Sequence, residues 1–406
     1  MISNDKKFSA AFRQSLVAYA FNLFGILAGS LFAYSSGLFE KVPWAVAIYP
    51  PILSARGVIG GLFCGRLGTA LHLGTIQPRI FGNTKSFYLL FKAIVVLTLE
   101  TSILMGGVAT LFRGFYAGLT LTDILDMIGI VVATMTIALI IISPLTLAVS
   151  FTSFKHGLDP DIVLYPIEST VADFFITAVY VLLLSLLLLY NLLFRYFLLF
   201  LSLLAFFVAI YLLTKNRGEN EFIRTLKESL LTTIIVSFIV NVAGTFLSSI
   251  DETIHGREVY SSYPIYVVYP ALIDTIGDVG STVGSTTTTK LAIGTLSPSL
   301  SSIRNHFKEI TGAWAASMVM YFVYSIFGLA IKEILSPVNL LKFAVFLFSV
   351  NMLAASTIIM ISYTIAIITY QRGLDPDNFE IPLESSLADS VTTISLFICI
   401  LLFTTI

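Results

Sequence analysis

Long apolar stretches separated by short polar turns account for nearly the whole chain. A transmembrane helix needs about 20 predominantly apolar residues. By that measure the first half supplies five spans, at about 14–38, 43–76, 87–112, 125–153 and 166–190. The second half supplies five more, at about 229–250, 264–296, 312–335, 340–369 and 383–405. Between them, at roughly 193–214, stands one further run, LLFRYFLLFLSLLAFFVAIYLL. In lipid every backbone polar group must be satisfied within the segment, which long apolar runs do by forming helices. The pattern therefore predicts an all-α polytopic membrane protein of about eleven transmembrane helices. The expected division is a five-helix repeat over 1–190, a linking helix with its loop over 191–224, and a second five-helix repeat over 225–406.

The two halves carry the same residues at fixed spacing. GLDPDIVLYPIESTVAD, from Gly157 to Asp173, returns as GLDPDNFEIPLESSLAD, from Gly373 to Asp389, with ten of seventeen positions identical and no gap. Tyr49, Pro50, Gly57, Gly60, Thr69, Leu71, Gly74, Thr75 and Pro78 return as Tyr269, Pro270, Gly277, Gly280, Thr289, Leu291, Gly294, Thr295 and Pro298, every pair 220 residues apart. Asn22-x-x-Gly25 in the first span is matched by Asn241-x-x-Gly244 in the seventh. This is an internal duplication. Five spans alone would start the second half on the opposite side; the linking span restores the original side, so the repeats are expected to be parallel, related by a pseudo-twofold axis along the membrane normal. Asp173 would then face Asp389 across that axis.

Lys and Arg set the orientation. With a cytoplasmic amino terminus, thirteen of them fall in inner loops (Lys6, Lys7, Arg13, Arg79, Lys85, Lys155, Lys215, Arg217, Arg224, Lys227, Arg304, Lys308 and Arg372) and six in outer ones. That predicts a multi-pass cell-membrane protein with its amino terminus inside and its carboxyl terminus outside. Composition agrees: 57% hydrophobic, 12% charged, mean hydropathy +0.92, where a soluble domain carries about 25% charged residues. A net charge of −1 and the absence of a basic run give no reason to expect nucleic acid. Cys64 and Cys399 belong to no paired motif, and His72, His156, His255 and His306 lack metal-ligand spacing. No nucleophile–base pair suggests an enzyme.

The candidate chemistry is carboxylate. In each GLDPD turn the proline is expected to block the preceding helix while Asp159, Asp161, Asp375 and Asp377 accept from free backbone N–H groups, as a helix cap does. Pro166 and Pro382 suit the first turn of the next helix, which puts Glu168 and Glu384 near its positive end, either as dipole partners or at the mouth of a cation path. Asp173 and Asp389 lie seven residues beyond that proline, roughly 10 Å into the helix at about 1.5 Å per residue, too deep for capping. An ionisable residue inside a span points to function. The alternative is pairing with one of the few cations in the spans, Arg56, Arg66, Lys92 or Lys290. Two facing carboxylates repel unless one is protonated or a cation sits between them. Mg2+ keeps several waters and uses only one or two carboxylates, so it suits the pair.

The second spans carry paired glycines after a proline, in a segment too long for one regular crossing, so interrupted helices are expected, with freed carbonyls buried in protein or lining a cavity. Close packing through small residues is the alternative. Here the halves diverge: Asp274 and Asp278 stand where the first half has Ser54 and Val58. The Thr286–Thr289 run either lines the path or bonds locally. Glu100, with Met320 as its counterpart, is a candidate proton or sodium site or the partner of a neighbour, and Asn351 is expected to tie two helices together.

These residues resemble the membrane domain of the MgtE-type magnesium transporters, in the two-repeat form of the eukaryotic solute carrier family 41. In that family a G-[LI]-D-P turn precedes a fifth span whose acid lines the cation pore, which corresponds to Gly157–Pro160 with Asp173 and Gly373–Pro376 with Asp389. The family's P-x(6)-G-N pattern is matched by Pro50 to Gly57 and Pro270 to Gly277, with Val58 and Asp278 in place of the asparagine. The resemblance implies a divalent-cation transporter or channel. Mg2+ is the expected ion, with Mn2+ and Co2+ also open, and the pore would lie between the two repeats of a single-chain pseudo-dimer. Asp173 and Asp389 would bind the ion, and Asp278, Asp274, Glu168 and Glu384 would attract or relay it. The alternative is a Na+- or H+-coupled exchanger using the same acids.

Overall fold

The computed structural model describes residues 4–156, 160–255, 263–372 and 376–404, and among them it contains helices and turns and no strand. The chain is an all-α polytopic membrane protein. Its first helix, α1, runs as Asn4–Tyr19 and Gly25–Tyr34 joined by a 3-10 turn at Ala20–Phe24. The other long helices are α2 (Trp44–His72), α3 (Lys85–Ala117), α4 (Leu121–Lys155), α5 (Pro160–Tyr190), α6 (Leu192–Asn216), α7 (Asn220–His255), α8 (Ile265–Ala292), α9 (Ile303–Ile331), α10 (Pro337–Gln371) and α11 (Pro376–Thr404), with short turns of helix at Ser36–Phe39 and Leu300–Ser302. Among the described residues ten helices are long and apolar enough to cross a membrane. α8 matches them in length, at 28 residues, and carries Asp274, Asp278 and the threonine run.

The helices gather into two compact units. One is Tyr34–Ser248, here the arginine unit; the other, the acidic unit, combines Met1–Ala33 with Ser249–Ile406. Boundaries of duplicated sequence and boundaries of packing are thus different things. α1, from the first half, packs inside the acidic unit, and most of α7, from the second half, packs inside the arginine unit.

The same device fixes both first spans. Pro51 lacks the N–H that would bond the Ala47 carbonyl, and Pro270 likewise leaves the Tyr266 carbonyl without its helical donor. In the arginine unit Gly244 of α7 lies directly on the Ala47 carbonyl oxygen; in the acidic unit Gly29 of α1 lies on those of Tyr266 and Val267. A Cβ at either glycine would collide with those oxygens, so only glycine lets the backbones close over the freed groups. Nearer the start of α1, Gly312 of α9 packs on the backbone of Phe8 and Phe12 at a looser approach.

Two expectations are corrected here. The second spans do not break at their glycines: α2 is one helix of 29 residues containing Pro50 and Pro51, and α8 one of 28 containing Pro270. The prolines fall in the early turns, where each removes a single bond, and the apposed glycine helices cover the carbonyls. Nor do the GLDPD prolines stand outside the next helix. Pro160 and Pro376 begin α5 and α11, a position where the missing N–H costs nothing, and Pro166 and Pro382 lie within. Asp159 and Asp375, and the side chains of Asp161 and Asp377, on which a cap was expected, lie outside the described residues.

α6, the linking helix, is mostly exposed along its apolar length. It follows α5 after one residue, Asn191, whose positive φ of 38° makes the turn. Arg195 holds that turn, donating from Nη1 to Asn191 Oδ1 at 2.7 Å and from Nη2 to buried Asp126 Oδ2 of α4 at 2.7 Å. Asn351 ties α10 to α9 as expected, accepting from Trp314 Nε1 at 3.1 Å and donating to Ser317 Oγ at 3.0 Å.

Candidate functional site

A shared frame places the two fifth-span aspartates. In the arginine unit the Tyr49 hydroxyl of α2 and Thr177 Oγ1 of α5 lie 2.9 Å apart, and Thr177 Oγ1 donates to the Asp173 carbonyl at 2.7 Å. In the acidic unit Tyr269 and Thr393 repeat the pair at 2.8 Å, and Thr393 Oγ1 donates to the Asp389 carbonyl at 2.6 Å. Tyrosine, threonine and aspartate thus lock the second span to the fifth in each unit. Both aspartates are buried, Asp173 at 0% exposure and Asp389 at 7%.

Their surroundings differ. Arg56 of α2 is 7% exposed, its Nη2 lies 2.5 Å from Asp173 Oδ1, and its Nη1 donates to Ser169 Oγ one turn earlier at 3.1 Å. Among the described residues, Arg56 pairs with a fifth-span acid. Arg66 donates to Thr225, Lys92 to Asn216, and Lys290 pairs with Glu309. A charge in a low-dielectric interior persists when it is paired and hydrogen-bonded, and Asp173 has that pairing within its own unit. The residue 220 positions beyond Arg56 is Ile276, fully buried.

The acidic unit instead adds carboxylates. Asp274 and Asp278, one turn apart on α8, are half-buried. Asp278 accepts from Asn22 Nδ2 at 2.8 Å, and the same amide reaches Thr275 Oγ1 at 3.2 Å. Asn22 sits in the 3-10 turn of α1, so that helix is tightened where it meets the acid. The Tyr19 hydroxyl donates to the Asp278 carbonyl oxygen at 3.4 Å and lies within electrostatic reach of Asp278 and Glu384. Glu384 of α11 is 2% exposed. Its Oε1 accepts from Ser362 Oγ of α10 at 2.5 Å and rests on the bare backbone of Gly280, two residues beyond Asp278. A Cβ there would push the carboxylate from its present place.

Three helices therefore bring Asp278, Glu384 and Tyr19 into one polar neighbourhood, with Asp274 a turn away on α8 and Asp389 further along α11. The side chain of Glu168 lies outside the described residues. Glu100 is half-buried in the arginine unit, and its Oε1 is enclosed without a hydrogen-bond partner among the described residues. Among the described residues no three His, Cys, Asp or Glu side chains converge closely enough to enclose a metal ion. Sequence reasoning did not anticipate Tyr19, Ser362 or the role of Asn22. The recurrence of Asn22-x-x-Gly25 was a signal for the last; Ser362 and Tyr19 had none.

Past the threonines of α8, His306 is buried between Thr286 and Thr287, each 3.2 Å from a ring nitrogen, and its Nε2 lies 2.9 Å from Glu309 Oε2. Thr286 and Thr287 also bond locally, each donating to the carbonyl four residues earlier, of Thr282 and Val283, at 2.6 Å.

The profile of the family described as MgtE, divalent cation transporter, matches residues 49–183 and 269–399, well over half of the chain. Those two stretches contain all six candidate acids. None of the curated proteins matches. Among solved structures, the crystal structure of the eukaryotic MATE transporter AtDTX14 aligns over 97% of this chain and 95% of that one, at 11% identity and a TM-score of 0.23, a likeness too slight to carry an argument.

Proposed function

The chain belongs to the MgtE family of divalent cation transporters, and from that premise we propose that it carries Mg2+ across the membrane past the buried acids of the acidic unit. Asp389 and Glu384 of α11, with Asp278 and Asp274 of α8, are the groups that attract and hold the ion. Asp173 and Glu168 are their duplicates, and Arg56 already answers the charge of Asp173. The observation that carries this reading is Glu384: a carboxylate 2% exposed, seated on Gly280 and beside the Asp278 segment. Placing that many acids in one low-dielectric region is costly unless a cation passes among them. Their spread fits an ion that keeps most of its water, as Mg2+ does, better than a tight cage.

The two-repeat order resembles the eukaryotic solute carrier family 41, and one chain then serves where a five-helix relative would need two. A negative-inside membrane potential drives uptake of the cation. It supplies about 2.3 kcal/mol per charge per 100 mV, and roughly twice that for a divalent ion.

The test is Mg2+ flux into proteoliposomes for wild type, Asp389→Asn and Glu384→Gln, with and without a Na+ or H+ gradient. Loss of flux in both variants, with no gradient needed in wild type, is the expected result. Flux that survives both substitutions would sink the assignment. Flux that requires the gradient would keep the site and make the protein an exchanger.

A further inference from the structure

The asparagine that recurs in the first span of each half is used differently in the two units. Asn241 of α7 donates to two backbone carbonyls, that of Met105 on α3 at 3.3 Å and that of Ser237 one turn earlier at 2.7 Å. It ties helices together. Asn22 of α1 turns its amide on an acid instead. It is 4% exposed, and its Nδ2 donates to Asp278 Oδ2 at 2.8 Å and to Thr275 Oγ1 at 3.2 Å. The residue 220 positions before Asp278 is Val58, which has no side-chain oxygen to accept.

That amide is held on several sides. Thr275 Oγ1 lies 2.7 Å from the Tyr324 hydroxyl and donates to the Ala271 carbonyl at 2.8 Å. Gly25 of α1 packs on the backbone of Ala271, one turn before Thr275. On the other side of Asn22, the Tyr19 hydroxyl donates to the Asp278 carbonyl oxygen at 3.4 Å. The Asp278 carboxylate is thus anchored through Oδ2 to a buried donor that has little room to move.

We propose that Asn22 is a positioning residue that sets ion selectivity: by holding Oδ2 it presents Asp278 to the ion through the other oxygen, which suits Mg2+ and handicaps Ca2+. The inference deepens the transport reading and rests on it. Ca2+ gathers roughly six to eight oxygens and accepts carboxylates through both oxygens at once, whereas Mg2+ keeps several waters and uses only one or two carboxylates. To embrace Ca2+ with both oxygens, Asp278 must turn away from Asn22 and leave a buried amide short of an acceptor, which is costly. Mg2+ asks for no such turn. The handicap falls on the larger ion alone.

The experiment measures Mg2+ uptake into proteoliposomes with an enclosed Mg2+ dye, and the external Ca2+ concentration that halves it. Radioactive Ca2+ bound to the purified full chain is the second readout. Wild type, Asn22→Leu, Asp278→Asn and the double variant are compared, each checked for folding by gel filtration. Wild type is expected to resist Ca2+. Asn22→Leu fills the same space without a donor, and Ca2+ then competes about tenfold better relative to the half-saturating Mg2+ concentration. Bound Ca2+ rises with it, and that rise disappears in the double variant. Asn22→Ser, too short to reach the carboxylate, replaces Asn22→Leu if the latter does not fold. Reduced uptake with an unchanged ratio of Ca2+ to Mg2+ is what a packing role alone produces, and it overturns the selectivity role. So does a rise in bound Ca2+ that persists in the double variant, or a wild type that Ca2+ blocks at the concentration where Mg2+ half-saturates. Each of these leaves the transport reading standing. No Mg2+ uptake by wild type overturns both.

Discussion

The arginine unit and the acidic unit are built on one frame and filled with opposite charge. In each, a second-span tyrosine meets a fifth-span threonine that bonds the carbonyl of a buried aspartate, at nearly the same distances. In each, a glycine from a first span seals a carbonyl that a proline has released. What differs is a handful of side chains on one helix: Arg56 against Ile276, and Ser54 and Val58 against Asp274 and Asp278. The lesson is that packing and electrostatics are separable after duplication. The frame is kept in both units, whereas the charged side chains beside it differ.

That contrast can be broken most directly at the aspartates. Asp389→Asn is expected to abolish Mg2+ flux in proteoliposomes while leaving the protein folded. Asp173→Asn is expected to act first on stability, because it strips Arg56 of its counter-charge in the interior. Breaking a buried pair from one side costs about 3–5 kcal/mol, readable as a lowered unfolding midpoint in mixed detergent titrations. Equal loss of stability from both substitutions would mean that the units are not electrostatically distinct. The frame should respond alike in both units. Gly29→Ala and Gly244→Ala each place a methyl group on a carbonyl oxygen and are expected to cost about 1–3 kcal/mol, by the same measurement. A cost at one site and none at the other would show that the proline–glycine seal holds only one first span. Tyr49→Phe and Tyr269→Phe are the mildest, about 0.5–1.5 kcal/mol each for a lost hydrogen bond, and nearly equal. A larger effect at Tyr269 would tie that hydroxyl to the site as well as the frame.

Much of the fold was legible along the chain. The apolar runs locate the long helices among the described residues. The 220-residue offset picks out Tyr49 and Tyr269, and the GLDPD repeat picks out Asp173 and Asp389, whereas Thr177 and Thr393 of the frame carried no signal. Which helix packs on which is not local. Nothing in the run around Gly29 says that its neighbour is Val267 and not a residue of its own half. Arg56 was one of four cations able to meet an acid, and only tertiary packing singles it out, since Arg56 and Ser169 are 113 residues apart. Glu384 read equally well as a dipole partner and as part of a cation path; its burial against Gly280 and its bond to Ser362 could not be seen in sequence. The helices through Pro50, Pro51 and Pro270 misled for a related reason: a proline marks a lost hydrogen bond, and whether a helix breaks there depends on what another helix offers in its place.

The placement of α1 in the acidic unit bears on how the protein is made. α1 is synthesised near the beginning of the chain, yet Asn22 and its partner Asp278 are separated by 256 residues. At translation rates of about 5–20 residues per second, α1 waits roughly 13–50 s for that partner. During that interval its glycine face and Asn22 have no helix to meet, and the arginine unit cannot close either until α7 supplies Gly244. Assembly is therefore a late event, completed after most of the helices are in the bilayer. A chain stopped before α8 would leave α1 without the partners that hold it.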